Sequence, residues 1–197
     1  MMKRNIEFLF EVGMLKNTPR TGYQFLGSGG ESVADHCFRT AVIGYMLASH
    51  EQDADRSKVV LMCLFHDLPE ARTGDHNYVN KKYIKTDEEK AIRDQVRGLS
   101  FGDEVMGLFR EFNECDTMEA RLAKDADQLD LILELKGQLD SGNPNAKDWL
   151  SYALRRIITD GAKEMAQEIM TTNSSDWWFD KKTDWWVNGP NNKMEKT

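Results

Sequence analysis

A chain of 197 residues with 40% hydrophobic content is long enough for one domain with a sizeable core. Its formal charge of −7 excludes nonspecific binding to a nucleic-acid backbone, which needs clustered lysine and arginine, but leaves room for one local basic pocket facing a small anion. No stretch approaches the roughly 18 apolar residues of a membrane span, and none after Met1 suits a signal peptide, so a cytoplasmic protein off the membrane is expected.

Only four prolines interrupt the chain, helical periodicity dominates, and no convincing alternating strand appears, so the fold class is all-α. Ile6 to Leu15 reads as a short amphipathic helix with Ile6, Leu9, Phe10 and Gly13 on one stripe. Lys16 to Tyr23, with Pro19 and Gly22, is a loop centred on Arg20. Gly27-Ser28-Gly29-Gly30 is flexible, and Ser32-Val33-Ala34-Asp35 forms a capping box for a helix running to about Ser49. His36 falls on the inward stripe of that helix with Cys37, Thr40, Ile43 and Leu47, and Arg39 lies close to the same face.

Asp55 is placed to cap the next helix. Within it Val59-Val60-Leu61-Met62-Cys63-Leu64-Phe65 is too apolar for a solvated face and predicts a buried central helix. The run ends in His66-Asp67. Pro69 cannot donate to the carbonyl of Phe65, so regular helix ends or kinks near His66. Neighbouring side chains of a straight helix diverge by about 100°, and distortion here lets both converge on one ion. Buried charge asks for such a partner. Glu70 follows on the same side as a non-ligating acid or base.

Ala71 to His76 turns on Gly74, with His76 expected at solvent. Lys81 to Lys90 is charged, its basic part a loop or a lid over a pocket, and Thr86 caps a helix with Glu89 at its third position. Further helices are expected over Asp103 to Cys115, Met118 to about Asp140 behind Thr117, Ala146 to Ile158, and Asp160 to Met170. On the long helix Leu122, Ala126, Leu129 and Leu133 form the apolar stripe. Asp127 is surrounded on its own face by Ala120, Ala123 and Leu131, and needs a buried partner more than Asp125 or Asp130.

Cys37, Cys63 and Cys115 lie at wide spacing outside any zinc pattern, which suits reduced thiols packed in a core. Residues 1–173 read as one domain and 174–197 as a tail. The tail holds Trp177, Trp178, Trp185 and Trp186, expected to pack on the domain or on a second subunit.

His36, His66, Asp67 and Asp127 thus occupy inward positions on three helices. Two imidazoles and two carboxylates suit one divalent ion: Mn²⁺, Co²⁺, Mg²⁺, Fe²⁺ or Zn²⁺. The carboxylates neutralise the ion, and open positions remain for water and substrate. Without cysteine ligand spacing, a structural zinc site is disfavoured.

The order His36, His66-Asp67, Asp127 resembles the H…HD…D signature of the HD-domain metal-dependent phosphohydrolases. Pro19-Arg20-Thr21-Gly22, Glu31 to His36, His66 to Glu70, Thr73-Gly74-Asp75 and Lys124 to Leu129 are similar to its 5′-deoxynucleotidase branch, in consistent order and spacing. The resemblance implies an HD-domain helical bundle, commonly a homodimer, that cleaves deoxynucleoside 5′-monophosphates to deoxynucleoside and phosphate. It implies His36, His66, Asp67 and Asp127 as metal ligands. Glu70 would activate or position the attacking water, Asp75 would assist proton transfer, and Arg20 would reach the substrate. Charge counting adds Arg39 as a second substrate cation, with Lys81 or Lys82 available from a lid. In one departure, some members carry tryptophan directly after the arginine, near the sugar, where this chain has Thr21, with Tyr23 nearby. Discrimination against the ribose 2′-hydroxyl turns on that position. Two other readings stay open beside this one: hydrolysis of a di-, tri- or pyrophosphorylated nucleotide, and a non-catalytic metal-binding regulatory module.

Overall fold

Side-chain caps open four of the helices among the described residues. The computed structural model describes residues 2–179, 182, 183 and 185–189, and among these the regular elements are all helices. α1 (Met2–Val12) runs into a 3₁₀ turn, Gly13–Asn17, so the helix expected over Ile6 to Leu15 starts earlier and tightens at its end. α2 (Tyr23–Leu26) is a single turn closed by Gly27, whose φ of 71° is left-handed and favours glycine. α3 (Val33–Ser49) opens at the expected capping box: Asp35 N donates to Ser32 Oγ at 3.2 Å, and Ser32 N donates to Asp35 Oδ2 at 2.9 Å. α4 (Arg56–Phe65) is capped by Asp55, which accepts from Lys58 N at 3.1 Å. It stops at Phe65, as Pro69 requires, and the chain resumes in the short α5 (Glu70–Thr73).

α6 (Glu88–Val96) is capped one residue later than expected. Asp87 accepts from Lys90 N at 2.9 Å, and the Thr86 hydroxyl instead donates to Glu88. α7 (Gly102–Glu114) ends at Cys115, which is left-handed at φ 57° and half-buried rather than helical core. α8 (Met118–Asp140) has its predicted bounds, with Ala120 N donating to Thr117 Oγ1. α9 (Asn145–Leu154), α10 (Asp160–Thr171) and α11 (Trp185–Asn188) complete the order.

The centre of the bundle is α8, packed by α3, α4, α7, α9 and α10. Its Leu122, Ala126, Leu129 and Ile132 are buried, each large aliphatic side chain contributing about 1.5–3 kcal/mol, while Leu133 is only half-buried. α4 is not buried all round. Val59, Met62 and Cys63 face the core and Leu64 is exposed. α3 and α4 meet at Gly44, where an added Cβ would sit 2.7 Å from Cys63 Sγ, so glycine permits the approach. A second apolar cluster joins Phe8, Val33, Leu68, Ile92, Val105 and Phe109 beneath α1, α6 and α7.

The tail is tied to α8 where Thr172 O accepts from Lys136 Nζ at 2.7 Å and Ser174 N donates to Asp140 Oδ2 at 2.8 Å. Beyond that the rings of Trp178, Phe179, Trp185 and Trp186 pack on one another. Part of the predicted tail, including 190–197, lies outside the described residues.

Asp125 corrects one expectation. It is fully buried, and accepts hydrogen bonds from Ile158 N, Thr159 N and Thr159 Oγ1 at 2.7, 2.8 and 2.7 Å. Those bonds fold residues 155–159 back on α8, and α9 ends at Leu154 rather than Ile158. Asp125→Ala leaves buried donors unpaired and is expected to lower unfolding free energy by about 3 kcal/mol, read as a lower urea midpoint at unchanged slope.

Candidate metal centre

Pro69 shapes the site first. The last bond of the α4 ladder is His66 N to Met62 O at 2.9 Å; turns follow, with Leu68 N donating to Phe65 O at 3.1 Å and Glu70 N to Asp67 O at 3.0 Å. In these turns the side chains of His66 and Asp67 point together, with His66 Nε2 3.3 Å from Asp67 Oδ2. α3 brings His36, fully buried, so that its Nε2 lies 3.3 Å from His66 Nε2 and 3.6 Å from Asp67 Oδ2. α8 brings Asp127, whose Oδ1 lies 3.3 Å from His36 Nε2 and 3.9 Å from His66 Nε2. Of the four residues expected to share an ion, His36, His66 and Asp67 form one group, and Asp127 reaches it through the two imidazoles.

The second nitrogen of each ring decides the chemistry. His66 Nδ1 lies 2.9 Å from Cys63 O, and His36 Nδ1 lies 2.6 Å from Asp130 Oδ2. A carbonyl and a carboxylate only accept, so each Nδ1 donates, and each Nε2 is left to share a proton with the acids facing it or to present a lone pair to a cation. His36, His66 and Asp67 then offer a group of donors that could hold an ion, with Asp127 approaching both imidazoles. Bonds of about 2.1 Å place neighbouring donors roughly 3.0–3.4 Å apart; three of the spacings here are 3.3 Å, and the others, at 3.6 and 3.9 Å, would have to close on an ion. The donor set fits a divalent ion, with both histidines oriented in the way ligating imidazoles are held.

Protonation follows the same field. Burial opposes charge on His36, yet Asp127 and Asp130 push its pKa up to about 10. Burial also opposes ionisation of Asp67 and Asp127, but His66, Arg20 and His36 hold the first below the usual carboxylate range, and His36 and His66 the second. Glu70 goes the other way: burial, then Asp67 and Asp75, push its carboxyl up to about 9. Its Oε2 is buried and has no hydrogen-bond partner among the described residues.

A cleft of about 370 Å³ opens beside this cluster, lined at one end by Arg20, Asp67, Glu70, Asp75 and Asp127. The Arg20 loop is fixed by an antiparallel bridge between Pro19 and Ser32, with Arg20 N donating to Glu31 O at 3.0 Å. Its guanidinium lies 3.1 Å from Asp67 Oδ2 and 3.7 Å from Asp75 Oδ1. Asp75 follows Gly74, which has φ 75° and ψ 158°, and turns back to accept from Thr21 N and from Thr21 Oγ1. His76 also lines the cleft, half-buried, instead of facing solvent. Lys81 reaches it, while Lys82 lies over the Tyr78 ring. Lys124, a competing partner for Asp127, sits over the Phe112 ring at 3.7 Å.

Arg39 is placed elsewhere. Its guanidinium is bound by Asp130 and Glu134, behind His36 and away from the cleft. The buried Asp130 needs a countercharge, and Arg39, one turn beyond His36 on α3, supplies it. Asp130 ranks below Asp127 when neighbours on one helix alone are compared. A signal was available: His36 and Arg39 are three apart, as are Asp127 and Asp130, so two helix faces each present a pair.

Residues 12–170 match the family model described as HD domain. The chain is 35% identical over 145 residues to the 5′-deoxynucleotidase HDDC2 of Dictyostelium discoideum, covering 68% of this chain and 76% of that one. It is 32% identical over 138 residues to the 5′-deoxynucleotidase HDDC2 of Xenopus laevis, covering 67% and 68%. A solved conserved hypothetical protein from Pyrococcus furiosus superposes with a TM-score of 0.74 at 30% identity, over 85% of this chain and 99% of that one.

Asp130→Asn keeps the shape behind His36 and removes the charge. Mn²⁺ affinity is expected to fall tenfold to a hundredfold on the order found for such outer partners, measured by titration calorimetry on chelator-stripped protein with an unchanged circular dichroism spectrum.

Proposed function

The chain belongs to the HD-domain family, and from that premise we propose that it is a metal-dependent 5′-deoxynucleotidase, cleaving deoxynucleoside 5′-monophosphates to deoxynucleoside and phosphate. One observation carries this beyond the likeness: the facing Nε2 atoms of His36 and His66, flanked by Asp67 and Asp127 at the end of a cleft. One divalent ion held there supplies Lewis-acid stabilisation of charge on the phosphoryl oxygens. Two imidazoles favour Mn²⁺, Co²⁺, Fe²⁺ or Zn²⁺ over Mg²⁺, which prefers oxygen donors.

The remaining groups act on the substrate and on water. Arg20, held between Asp67 and Asp75, offers its charge to the phosphate. Glu70, buried against the same carboxylates with one oxygen unpartnered and its carboxyl pushed up to about 9, would serve as the base once a cation bound beside Asp67 ionises it, taking a proton from the attacking water and passing it to the leaving 5′-oxygen. Asp75, already engaged by Thr21, steadies Arg20 and supports that transfer. Among cations, Lys81 and Arg156 face the cleft in the place expected for Arg39.

We also propose a cytoplasmic homodimer built on residues 1–173, with 174–197 appended. Phe38, Val42, Tyr45 and Met46 form an exposed apolar stripe along α3, Phe38 being 70% exposed, which a second copy would cover. Cys37, Cys63 and Cys115 are unpaired, which suits a reducing compartment. Among the described residues no helix is long and apolar enough to cross a membrane.

A panel of deoxynucleoside mono-, di- and triphosphates with Mn²⁺, Co²⁺ and Mg²⁺ is expected to release phosphate from the monophosphates and no pyrophosphate from the triphosphates. Glu70→Gln should retain metal affinity and lose about 10²–10⁴-fold in turnover; unchanged turnover removes Glu70 from the mechanism.

A further inference from the structure

The cleft changes character along its length. At one end stand carboxylates and the Arg20 guanidinium. The face of α8 that carries Asp127 continues with Leu131 and Leu135, about 6 and 12 Å further along at a rise of 1.5 Å per residue. Leu26 of α2 and Trp149 of α9 close that far end. Tyr23, Glu31 and Glu134 line the same space, so a molecule that fills it carries an anion at one end and, at the other, a flat group with polar edges.

Trp149 is half-buried and closely fitted. A Cβ on Gly22 would lie 2.7 Å from its Cη2. The φ of Gly22 is −57°, which any residue adopts, so the glycine serves close approach and not backbone freedom. Gly22 is two residues beyond Arg20, so the indole abuts the loop that carries the guanidinium. Phe25 meets the indole edge-on with centroids 6.5 Å apart and also packs on Tyr78 at 5.4 Å, which braces the ring.

Resting on the nucleotidase reading above, we propose that Trp149 is the platform on which the substrate's base stacks, and that Gly22 is the space that admits the indole. Every base has a π-face, so such a platform accepts purines and pyrimidines alike.

The test compares deoxynucleoside 5′-monophosphates with deoxyribose 5-phosphate, the same ester without a base, in the full-length Mn²⁺-loaded protein. Trp149→Leu keeps an apolar side chain against Leu26 and Phe25. It is expected to raise KM for the nucleotides about tenfold to a hundredfold with kcat held, and to leave deoxyribose 5-phosphate unaffected. Trp149→Phe should recover most of the loss, and Gly22→Ala, by displacing the ring, should reproduce it. Equal losses on both esters make Trp149 a wall residue and overturn the proposal while the phosphatase reading stands. Unchanged KM for the nucleotides in Trp149→Leu overturns it likewise. Failure of the unsubstituted protein to cleave either ester overturns the phosphatase reading and the platform with it.

Discussion

The Nε2 atoms of His36 and His66 face each other across 3.3 Å with Asp67 and Asp127 beside them, and that concentration of acceptors calls for positive charge, either a second proton on His36 or a divalent ion. The chain enforces that opposition from behind each ring, through Cys63 O at one histidine and Asp130 at the other. Neither ring can turn its Nδ1 proton over to the other nitrogen without losing a buried hydrogen bond, which costs on the order of 1–3 kcal/mol. The break at Pro69, the capping of α3 and the burial of α8 all serve to hold these groups together, and a divalent ion would take the place of the extra proton on His36.

A second layer of charge lies behind the donors. Asp130, Glu134 and Glu31 gather around Arg39, and Tyr23 donates to Glu134. Three carboxyls against one guanidinium is an imbalance. It shows at Glu31, whose pKa burial and the charges of Asp130 and Glu134 push up to about 7. Arg39 is thus occupied by its acids, and its charge reaches His36 through Asp130, whereas Arg20 and Lys81 line the cleft itself.

What was legible in the sequence is what local chemistry decides. Ser32 with Asp35, Asp55 and Thr117 marked helix starts because a side-chain oxygen reaches the backbone a few residues on. Pro69 marked the end of α4 because it lacks a proton to donate. The four donors were legible because charge on an apolar face must be answered. The rest depends on partners from other elements. Thr86 and Asp87 are both able to cap, and packing chose the second. Asp125 and Asp130 looked ordinary until residues 158–159 and α3 were placed against them. Trp149 sits on a helix whose pattern is the same whether it fills a core or lines a cleft.

Gly44 contributes no donor atom. It lies eight residues beyond His36 on α3, and a Cβ there would sit 2.7 Å from Cys63 Sγ, three residues before His66 on α4. The bare backbone at 44 thus lets the two histidine-bearing helices draw together. A side chain there would wedge them apart, about two turns from one imidazole and under one turn from the other.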